Sequence, residues 1–386
     1  MLPMTVPYWR LSGFYLFYFA ALGAFLPYWG LYLHALNFSP LEIGELMATV
    51  GFTKVVAPNV WGWIADHTGK RMSVVRVGCA CAVLAFIGVF FAHSYWWLLL
   101  VMLVYGFFWN AALPQFEATT LTHLGDSTHR YSSIRLWGSI GFIVSVAALG
   151  PVLQHYGESV LPMAVLALIG GIFIASLWVS ENATGHSHSA HEPLRTLLQR
   201  REVLALLVVC FLMQASHGPY YTFYTIYLEE HFYSRTLIGQ LWALGVIAEV
   251  GLFLVMHRLI GRFGLRSLLL LSAALTTARW IVIGVYVDNL TVVVLAQTLH
   301  AASFAIYHAV AIELIHRYFV GKHQGKGQAL YSSLSFGLGG AVGSLYAGYL
   351  WDGLGGAATF AGAGAFSALA FVVAWRFVPR DNRQGR

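Results

Sequence analysis

Ionisable side chains lie inside several long apolar runs of this chain, where only hydrocarbon-like residues would be expected. Glu249 lies in one such run, Arg279 in the next, and His300 and His308 in the one after that. A carboxylate or an imidazole can take up and release protons, and a guanidinium can bind a carboxylate through paired hydrogen bonds. Because ionisable groups are costly at membrane depth, these residues indicate a functional site that handles protons or charged solutes.

A second set of ionisable residues lies in the amino-terminal half of the chain. Glu117 and Arg135 lie on consecutive apolar runs, where the two charges could neutralise each other. Lys54 lies in an earlier run. Intramembrane charges either pair with one another or line a cavity, so a structural ion pair and a contact with a bound solute are both compatible with this pattern.

The elements that must position these residues are membrane-spanning helices. The chain is 58% hydrophobic and 10% charged, with a mean hydropathy of +0.68, so it has too few charges for a soluble surface. About twelve apolar runs approach the roughly 20 residues that cross a bilayer as a helix. The sequence therefore predicts an all-α membrane protein with twelve transmembrane helices. The runs begin near Tyr8, Leu41, Val74, Trp96, Ser132, Val160, Val203, Thr236, Leu268, Leu290, Gln328 and Ala357.

The distribution of basic residues predicts the topology. Of the 22 Lys and Arg residues, 18 fall in loops on one side of the predicted helices, and only Arg235 falls in the loops on the other side. Positively charged loops are retained in the cytoplasm, so both termini are predicted to be cytoplasmic, in a bacterial-type inner membrane. The net charge of +6 follows from this bias and does not indicate nucleic-acid binding.

One long polar stretch divides the chain into two predicted bundles. Residues 1–180 are predicted as an amino-terminal six-helix bundle, 181–202 as a cytoplasmic linker, and 203–386 as a carboxy-terminal six-helix bundle. The linker contains His186, His188 and His191, whose binding to a metal ion stays open. A solvated linker is favoured, because no Cys or carboxylate cage accompanies them.

The two halves are related by an internal repeat. Residues 31–54 match residues 226–249 at an offset of 195, which places Lys54 opposite Glu249. Further on, three glycines of the fifth run match three of the eleventh run at an offset of 198, and these small residues are expected to pack helices closely. They are Gly141, Gly150 and Gly157, matched to Gly339, Gly348 and Gly355. Parallel repeats of this kind are typical of secondary transporters.

The loop after the second run carries a recognisable motif. Its sequence, GWIADHTGKR, fits G-x-x-x-D-x-x-G-K-R and resembles the loop between helices two and three of the major facilitator superfamily. Each part of the motif has a physical explanation. The glycine forms a tight turn, the carboxylate can meet a helix N-terminus, and the basic residues hold the loop in the cytoplasm. The resemblance implies a gating role for Gly62, Asp66, Gly69, Lys70 and Arg71.

The whole chain resembles the proton-linked branch of this superfamily that includes lactose permease, and more closely the phenylpropionate permease family. The stretches that carry the resemblance are FLPYWGLYL, RLWGSIGF, QASHGPYYTFYTIY, LWALGVIAEV, ARWIVIG and QTLHAASFAIYHAVA. His217, Glu249, Arg279, His300 and His308 match the phenylpropionate-type pattern. The charge network of the sugar carrier is incomplete here, since Ser303 replaces the acid that follows the tenth-helix histidine.

The resemblance implies a secondary active transporter, a proton-coupled symporter that imports a small aromatic carboxylate such as a phenylpropionate. Proton coupling is assigned to Glu249, His300 and His308. Substrate binding is assigned to Arg279, as partner of the substrate carboxylate, and to the polar and aromatic residues His217, Tyr220, Tyr221, Trp242, Glu117, Arg135 and Lys54. The pair Gly218-Pro219 is expected to break the seventh helix and to expose its backbone to a ligand.

Three other functions are compatible with these sequence features to different degrees. A symporter of sugars or nucleosides with protons has the same fold. A multidrug exporter fits less well with polar, histidine-rich apolar runs, and a non-transporting receptor would need a soluble domain that we do not recognise. We find no constellation of catalytic residues, so we expect no enzyme activity and no cofactor. The expected partners are a small-molecule substrate, protons and the lipid bilayer, and the expected state is a monomer.

Overall fold

The computed structural model describes residues 6–181 and 197–380, and in these ranges the chain is helical without β-strands. The first half contains α1 (Tyr8–Ala35), α2 (Pro40–Thr68), α3 (Arg71–Ile87), α4 (Tyr95–Leu124), α5 (Tyr131–Tyr156) and α6 (Leu161–Leu177). The second half contains α7 (Arg201–Ser216), α8 (Gly218–Glu230), α9 (Arg235–Phe263), α10 (Leu265–Val285), α11 (Leu290–Thr298), α12 (Tyr307–Tyr318), α13 (Gln324–Ser332) and α14 (Gly340–Phe377). The linker histidines His186, His188 and His191 lie outside the described residues.

Two π-helical segments interrupt the second half. The first, Ala301–Ile306, joins α11 to α12, and the second, Ser333–Gly339, joins α13 to α14. A π-helical turn contains more residues than an α-helical turn, and such turns occur frequently at functional sites.

Nine helical stretches within the described residues are long and apolar enough to cross a bilayer. Two of them, Tyr95–Tyr156 with 62 residues and Gln324–Phe377 with 54, exceed the 17 to 25 residues or so that one crossing takes. The second of these leaves helical geometry at Gly355, where φ is 78°. The prediction of an all-α, multi-pass membrane protein is confirmed, while the count of twelve helices stays a prediction.

The backbone confirms the internal repeat. Eight described residues have a positive φ, and they form four pairs at offsets of 195, 196 or 198. Five of the six glycines and both other residues lie between helices, and Gly355 lies within α14. The pairs are Asn37 (64°) with Phe232 (62°), Gly69 (68°) with Gly264 (79°), Gly125 (50°) with Gly321 (59°), and Gly157 (78°) with Gly355 (78°). The same unusual turn geometry thus recurs at matched positions of the two halves.

The chain forms two compact units. The first contains residues 1–38, 52–189 and 234–243, and the second contains residues 39–51, 190–233 and 244–386. Within the first unit, α1 packs against α5 and α6, and α3 packs against α4 and α6. Within the second, α14 packs against α7, α8 and α10. The predicted bundle boundaries at 181–202 stay a prediction, because 182–196 lie outside the described residues.

Small residues allow close helix packing in both units, as the repeated glycines predicted. In the first unit, a Cβ atom on Gly150 would lie 2.6 Å from the carbonyl oxygen of Arg235. In the second, a Cβ atom on Gly348 would lie 2.8 Å from the carbonyl oxygen of Pro40 and 3.1 Å from the Cα of Gly44. Any side chain at these positions would force the backbones apart.

The loop motif forms a tight turn between α2 and α3. Gly69 takes the left-handed conformation that the turn requires, and Nη2 of Arg71 lies 3.1 Å from Oδ1 of Asp66. The expectation that the motif carboxylate meets a helix N-terminus is wrong. Asp66 lies before the end of α2 and pairs across the turn, whereas Glu181 accepts hydrogen bonds from the first-turn amides of Met72 (3.1 Å) and Ser73 (3.2 Å).

Candidate functional site

The core of the second unit holds the guanidinium of Arg279, which α10 presents with no solvent-exposed area. Its Nε donates to the carbonyl oxygen of Ala296 (3.0 Å), and its Nη2 donates to Oε1 of Gln297 (2.8 Å). Its Nη1 donates to Oγ of Ser303 (3.0 Å). Because these acceptors lie on α11 and the following π-helical segment, they tie the positive charge of α10 to that irregular stretch.

His300 lies between Arg279 and Glu249. Its Nδ1 is 3.2 Å from Nη1 of Arg279, and its Nε2 is 3.4 Å from Oε2 of Glu249. A guanidinium can only donate hydrogen bonds, so Nδ1 accepts, and in the neutral ring the hydrogen resides on Nε2, the nitrogen that lies nearer the carboxylate. The Glu249 side chain keeps 15% of its area exposed, and that of His300 keeps 6%. The structure therefore brings together three of the predicted residues as Arg279–His300–Glu249.

The sequence spacing predicts a helical stripe of His300, Tyr307 and Glu313, about two turns apart, with His308 close to it. The structure contradicts this prediction for Glu313. The Glu313 side chain is 44% exposed and pairs with Arg317 one turn later, at 3.2 Å. Tyr307 is buried, and its hydroxyl donates to the carbonyl oxygen of Cys210 at 3.2 Å. Glu313 follows His300 by 13 residues, about 3.6 turns of an α-helix, so a regular period already places the two residues on different sides.

His308 is linked to His300 through an aromatic ring. Phe304 stacks on both imidazoles, with ring centroids 5.7 Å apart in each case and interplanar angles of 20° and 10°. Nδ1 of His308 lies 2.8 Å from the hydroxyl of Tyr331. The structure thus places the two predicted proton-coupling histidines on one side of the same helix.

The interruption of the seventh predicted helix is confirmed at His217, between α7 and α8. Its backbone is not open to a ligand, so that part of the prediction is wrong. The carbonyl oxygen of Met213 accepts hydrogen bonds from Oγ of Ser216 (2.6 Å) and from Nδ1 of His217 (2.7 Å). The carbonyl oxygen of Ala215 accepts one from the hydroxyl of Tyr346 (3.1 Å). Nearby side chains satisfy these groups because an unpaired carbonyl is costly within the membrane.

Aromatic rings surround the Arg279 guanidinium. Its Cζ lies 4.5 Å from the ring centroid of Tyr220 and 4.4 Å from that of Trp280, within the range of cation–π contacts. Tyr221 stacks on the imidazole of His217 at 5.8 Å. Trp242 is buried and belongs to the first unit, in the segment of α9 that packs there. The stacking of any of these rings on a substrate stays a prediction.

The first unit holds its own charged cluster. Glu117 on α4 lies within electrostatic range of Lys54 on α2 and Arg135 on α5, and near the phenol of Tyr131. Cζ of Arg135 lies 3.9 Å above the ring of Phe19. The predicted neighbours Glu117 and Arg135 are thus brought together, and Lys54 joins them. Two positive groups and one negative group give the cluster a formal charge of +1.

Sequence reasoning missed several residues that hold these clusters. Gln297 and Ser303 bind Arg279, Tyr131 accompanies Glu117, and Tyr331 contacts His308. Gln297 did carry a signal, because it is a polar residue inside an apolar run, three positions before His300. Tyr331 carried none, since an aromatic residue in a membrane helix is usually lipid-facing or interfacial.

Comparison with known proteins agrees with this architecture. The chain is 29% identical over 367 residues to the probable 3-phenylpropionic acid transporter of Escherichia coli (strain K12), covering 90% of this chain and 92% of that one. It is 28% identical over 341 residues to the maltose permease of Geobacillus stearothermophilus, covering 88% and 86%. Its fold is similar to that of the nucleoside transporter NupG, with a TM-score of 0.78, 15% identity and coverage of 96% and 98%.

The family comparison decides the assignment. The model of the MFS_1 like family matches residues 8–361, from the start of α1 into the last helix, α14. The chain therefore belongs to the MFS_1 like family of the major facilitator superfamily, and it is a multi-pass membrane transporter and not an enzyme.

Proposed function

We propose that this transporter is a proton-coupled symporter that imports a small aromatic carboxylate, with Glu249 as the proton site. The observation that supports this most is the buried contact series Arg279–His300–Glu249. It combines a fixed positive charge, a neutral ring that donates a hydrogen and a carboxylate that retains some exposure. The relative named as a probable 3-phenylpropionic acid transporter supports the choice of substrate class.

The contact between His300 and Glu249 depends on the proton. An ionised Glu249 accepts the hydrogen on Nε2 of His300 as a charge-assisted bond, which is roughly twice as strong as a neutral one. A proton on the carboxylate removes the charge and weakens that bond. Uptake of a proton thus loosens α9 from the stretch that follows α11, and release of the proton restores the contact. We assign His308 to the same proton-dependent region because Phe304 couples its ring to His300.

We propose that Arg279 positions His300. On the sequence alone, Arg279 is instead predicted to be the partner of the substrate carboxylate. Each of its three nitrogens already donates to an acceptor of the same unit, at 2.8 to 3.0 Å. A substrate carboxylate would have to displace these acceptors. Arg279 therefore determines which nitrogen of His300 faces Glu249.

The charged cluster of the first unit is the better candidate for the substrate carboxylate. Lys54 and Arg135 give it one positive charge more than Glu117 neutralises. A bound anion would complete the balance, and buried charges are stable only when balanced. The assignments of His217, Tyr220, Tyr221 and Trp242 to substrate binding stay predictions.

The test is uptake into liposomes that contain only this protein. With an inward proton gradient, wild-type protein should accumulate labelled 3-phenylpropionate, and the Glu249→Gln variant should lose accumulation yet retain exchange across the membrane. Glu313→Gln is the matched control, because Glu313 is an exposed acid on the helical stretch that follows His300. Full accumulation by Glu249→Gln would refute the assignment of the proton site.

A sugar or nucleoside symporter is the second candidate. The maltose permease is almost as similar to this chain as the first relative, at 28% identity, which favours a sugar among the alternatives. Competition of labelled 3-phenylpropionate uptake by maltose, uridine or unlabelled 3-phenylpropionate separates these substrates. Inhibition by maltose alone would favour the sugar transporter.

The proposed topology places both termini in the cytoplasm, in a bacterial inner membrane. Basic side chains on the predicted cytoplasmic side contact the carbonyl ends of helices, where the helix dipole favours positive charge. Arg76 donates to the carbonyl oxygen of Val179 (2.7 Å), and Arg266 donates to that of Trp375 (2.5 Å). We propose that the motif residues Gly62, Asp66, Gly69, Lys70 and Arg71 act in gating, and that the protein works as a monomer.

A further inference from the structure

Three histidines of this protein share one local geometry. In each, Nδ1 hydrogen-bonds the carbonyl oxygen four residues earlier, at 2.9 Å for His123, 2.7 Å for His217 and 2.8 Å for His231. A carbonyl oxygen can only accept a hydrogen bond, so Nδ1 carries the hydrogen in all three rings. In a neutral ring of this form, Nε2 is an acceptor with a lone pair.

The three histidines differ at Nε2. That of His123 lies 3.3 Å from Oγ of Ser180, and that of His231 lies 3.9 Å from Oδ1 of Asp288. Among the described residues, Nε2 of His217 has no hydrogen-bond partner, although His217 is completely buried. An unpaired acceptor in a buried site is costly, so its retention needs an explanation.

The indole of Trp280 does not supply the missing donor. The ring of Trp280 lies 5.0 Å from that of His217, edge to face, but its indole N–H donates to Oγ of Ser216 at 3.2 Å. One turn before His217, Oε1 of Gln214 is also unpaired, and that residue is 2% exposed. Residues three apart lie on the same side of a helix. The end of α7 thus presents two unpaired acceptors beside aromatic rings.

We propose that Nε2 of His217 accepts a hydrogen bond from a hydroxyl group on the aromatic ring of the substrate. The preferred substrate is then a hydroxylated aromatic carboxylate. A neutral hydroxyl suits this place better than an ammonium group, because the guanidinium of Arg279 already lies 4.4 Å from the neighbouring ring of Trp280. This inference rests on the proposed function and adds the substrate group, a ring hydroxyl, that His217 recognises.

The test compares 3-phenylpropionate with the three isomers of 3-(hydroxyphenyl)propionate. Binding of each to the purified, detergent-solubilised protein is measured by titration calorimetry. One hydroxylated isomer should bind about tenfold more tightly than 3-phenylpropionate, the effect of one good hydrogen bond to a buried neutral acceptor. His217→Phe should reduce that preference to less than twofold. His123→Phe, which removes a buried histidine with the same Nδ1 bond, should keep it.

Each result decides something. If no hydroxylated isomer binds more tightly than 3-phenylpropionate, the inference is overturned and the proposed function stands. If none of the four acids binds, both fall. A preference that survives in His217→Phe would place hydroxyl recognition elsewhere and also overturn it. Should that variant not fold, wild-type protein labelled with ¹⁵N-histidine decides: the preferred isomer must shift an unprotonated Nε2 resonance that 3-phenylpropionate leaves in place, and no shift contradicts the inference.

Discussion

Replacing Arg279 by lysine separates the charge of this residue from its geometry. The guanidinium serves four acceptors: the carbonyl oxygen of Ala296, Oγ of Ser303, Oε1 of Gln297 and Nδ1 of His300. An ammonium group has three hydrogens on one nitrogen and cannot reach four acceptors that surround a planar fork. At least one buried acceptor therefore loses its partner.

The expected loss follows from these contacts. Each buried acceptor left without a donor costs about 1 to 3 kcal/mol. The contacts with the rings of Tyr220 and Trp280, at 4.5 and 4.4 Å, weaken as well and are worth roughly 0.5 to 2 kcal/mol. Arg279→Lys should thus lower the free energy of unfolding by about 2 to 5 kcal/mol. Without the guanidinium, Nδ1 of His300 can carry the ring hydrogen. Nε2 then no longer has to be the nitrogen that donates to Glu249.

The assay combines thermal unfolding in detergent with uptake driven by a proton gradient. Arg279→Lys should unfold at a lower temperature and lose most of its accumulation. Arg317→Lys is the control, because the Arg317 side chain is 51% exposed and its pair with Glu313 should contribute less than about 1 kcal/mol. Wild-type stability and accumulation in Arg279→Lys would show that only the charge matters, and would refute the positioning role.

Two further predictions concern the packing glycines and the loop motif. Gly348→Ala should destabilise the protein by about 1 to 3 kcal/mol in thermal unfolding, because its Cβ would lie 2.8 Å from the carbonyl oxygen of Pro40. Gly13→Ala, where that atom meets open space, should have no such effect, and equal shifts would contradict the packing argument. Asp66→Asn should change stability by less than about 1 kcal/mol, since the Asp66 side chain is 71% exposed. Slower uptake by this variant would then report on gating, and unchanged uptake would argue against the motif's role.

Much of the candidate site was predictable from the sequence because membranes restrict where charges can lie. Glu249, Arg279 and His300 are costly in hydrocarbon, so they were expected to meet, and they do. The repeat was equally accessible, since it is a comparison of the chain with itself. Its strongest structural sign is the recurrence of positive φ at Asn37 and Phe232, because positive φ is uncommon outside glycine and rarer still for a bulky residue such as Phe232.

Other features depend on contacts between distant residues and could not be predicted. Glu181 binds the first turn of α3 from more than 100 positions away, although the sequence predicted it as the first residue of the polar linker. Glu313 was predicted to lie on the stripe of His300, but it is 44% exposed and pairs with Arg317. The π-helical segment that follows His300 was not predicted either. Hydrophobic periodicity describes an average helix, so it is insensitive to one turn of different pitch.

The π-helical segment also explains how a buried arginine can be retained at this position. Irregular backbone within a membrane is tolerated only where other groups satisfy its carbonyl oxygens. Around this segment, the carbonyl oxygen of Ala296 accepts from Nε of Arg279 and that of Ala302 accepts from Oγ of Ser272, at 3.0 and 2.8 Å. The arginine needs acceptors in an apolar interior, and the irregular helix needs donors. The arginine thus satisfies the irregular helix and the irregular helix satisfies the arginine, and His300, just before the segment, lies with Nδ1 beside Arg279 and Nε2 beside Glu249.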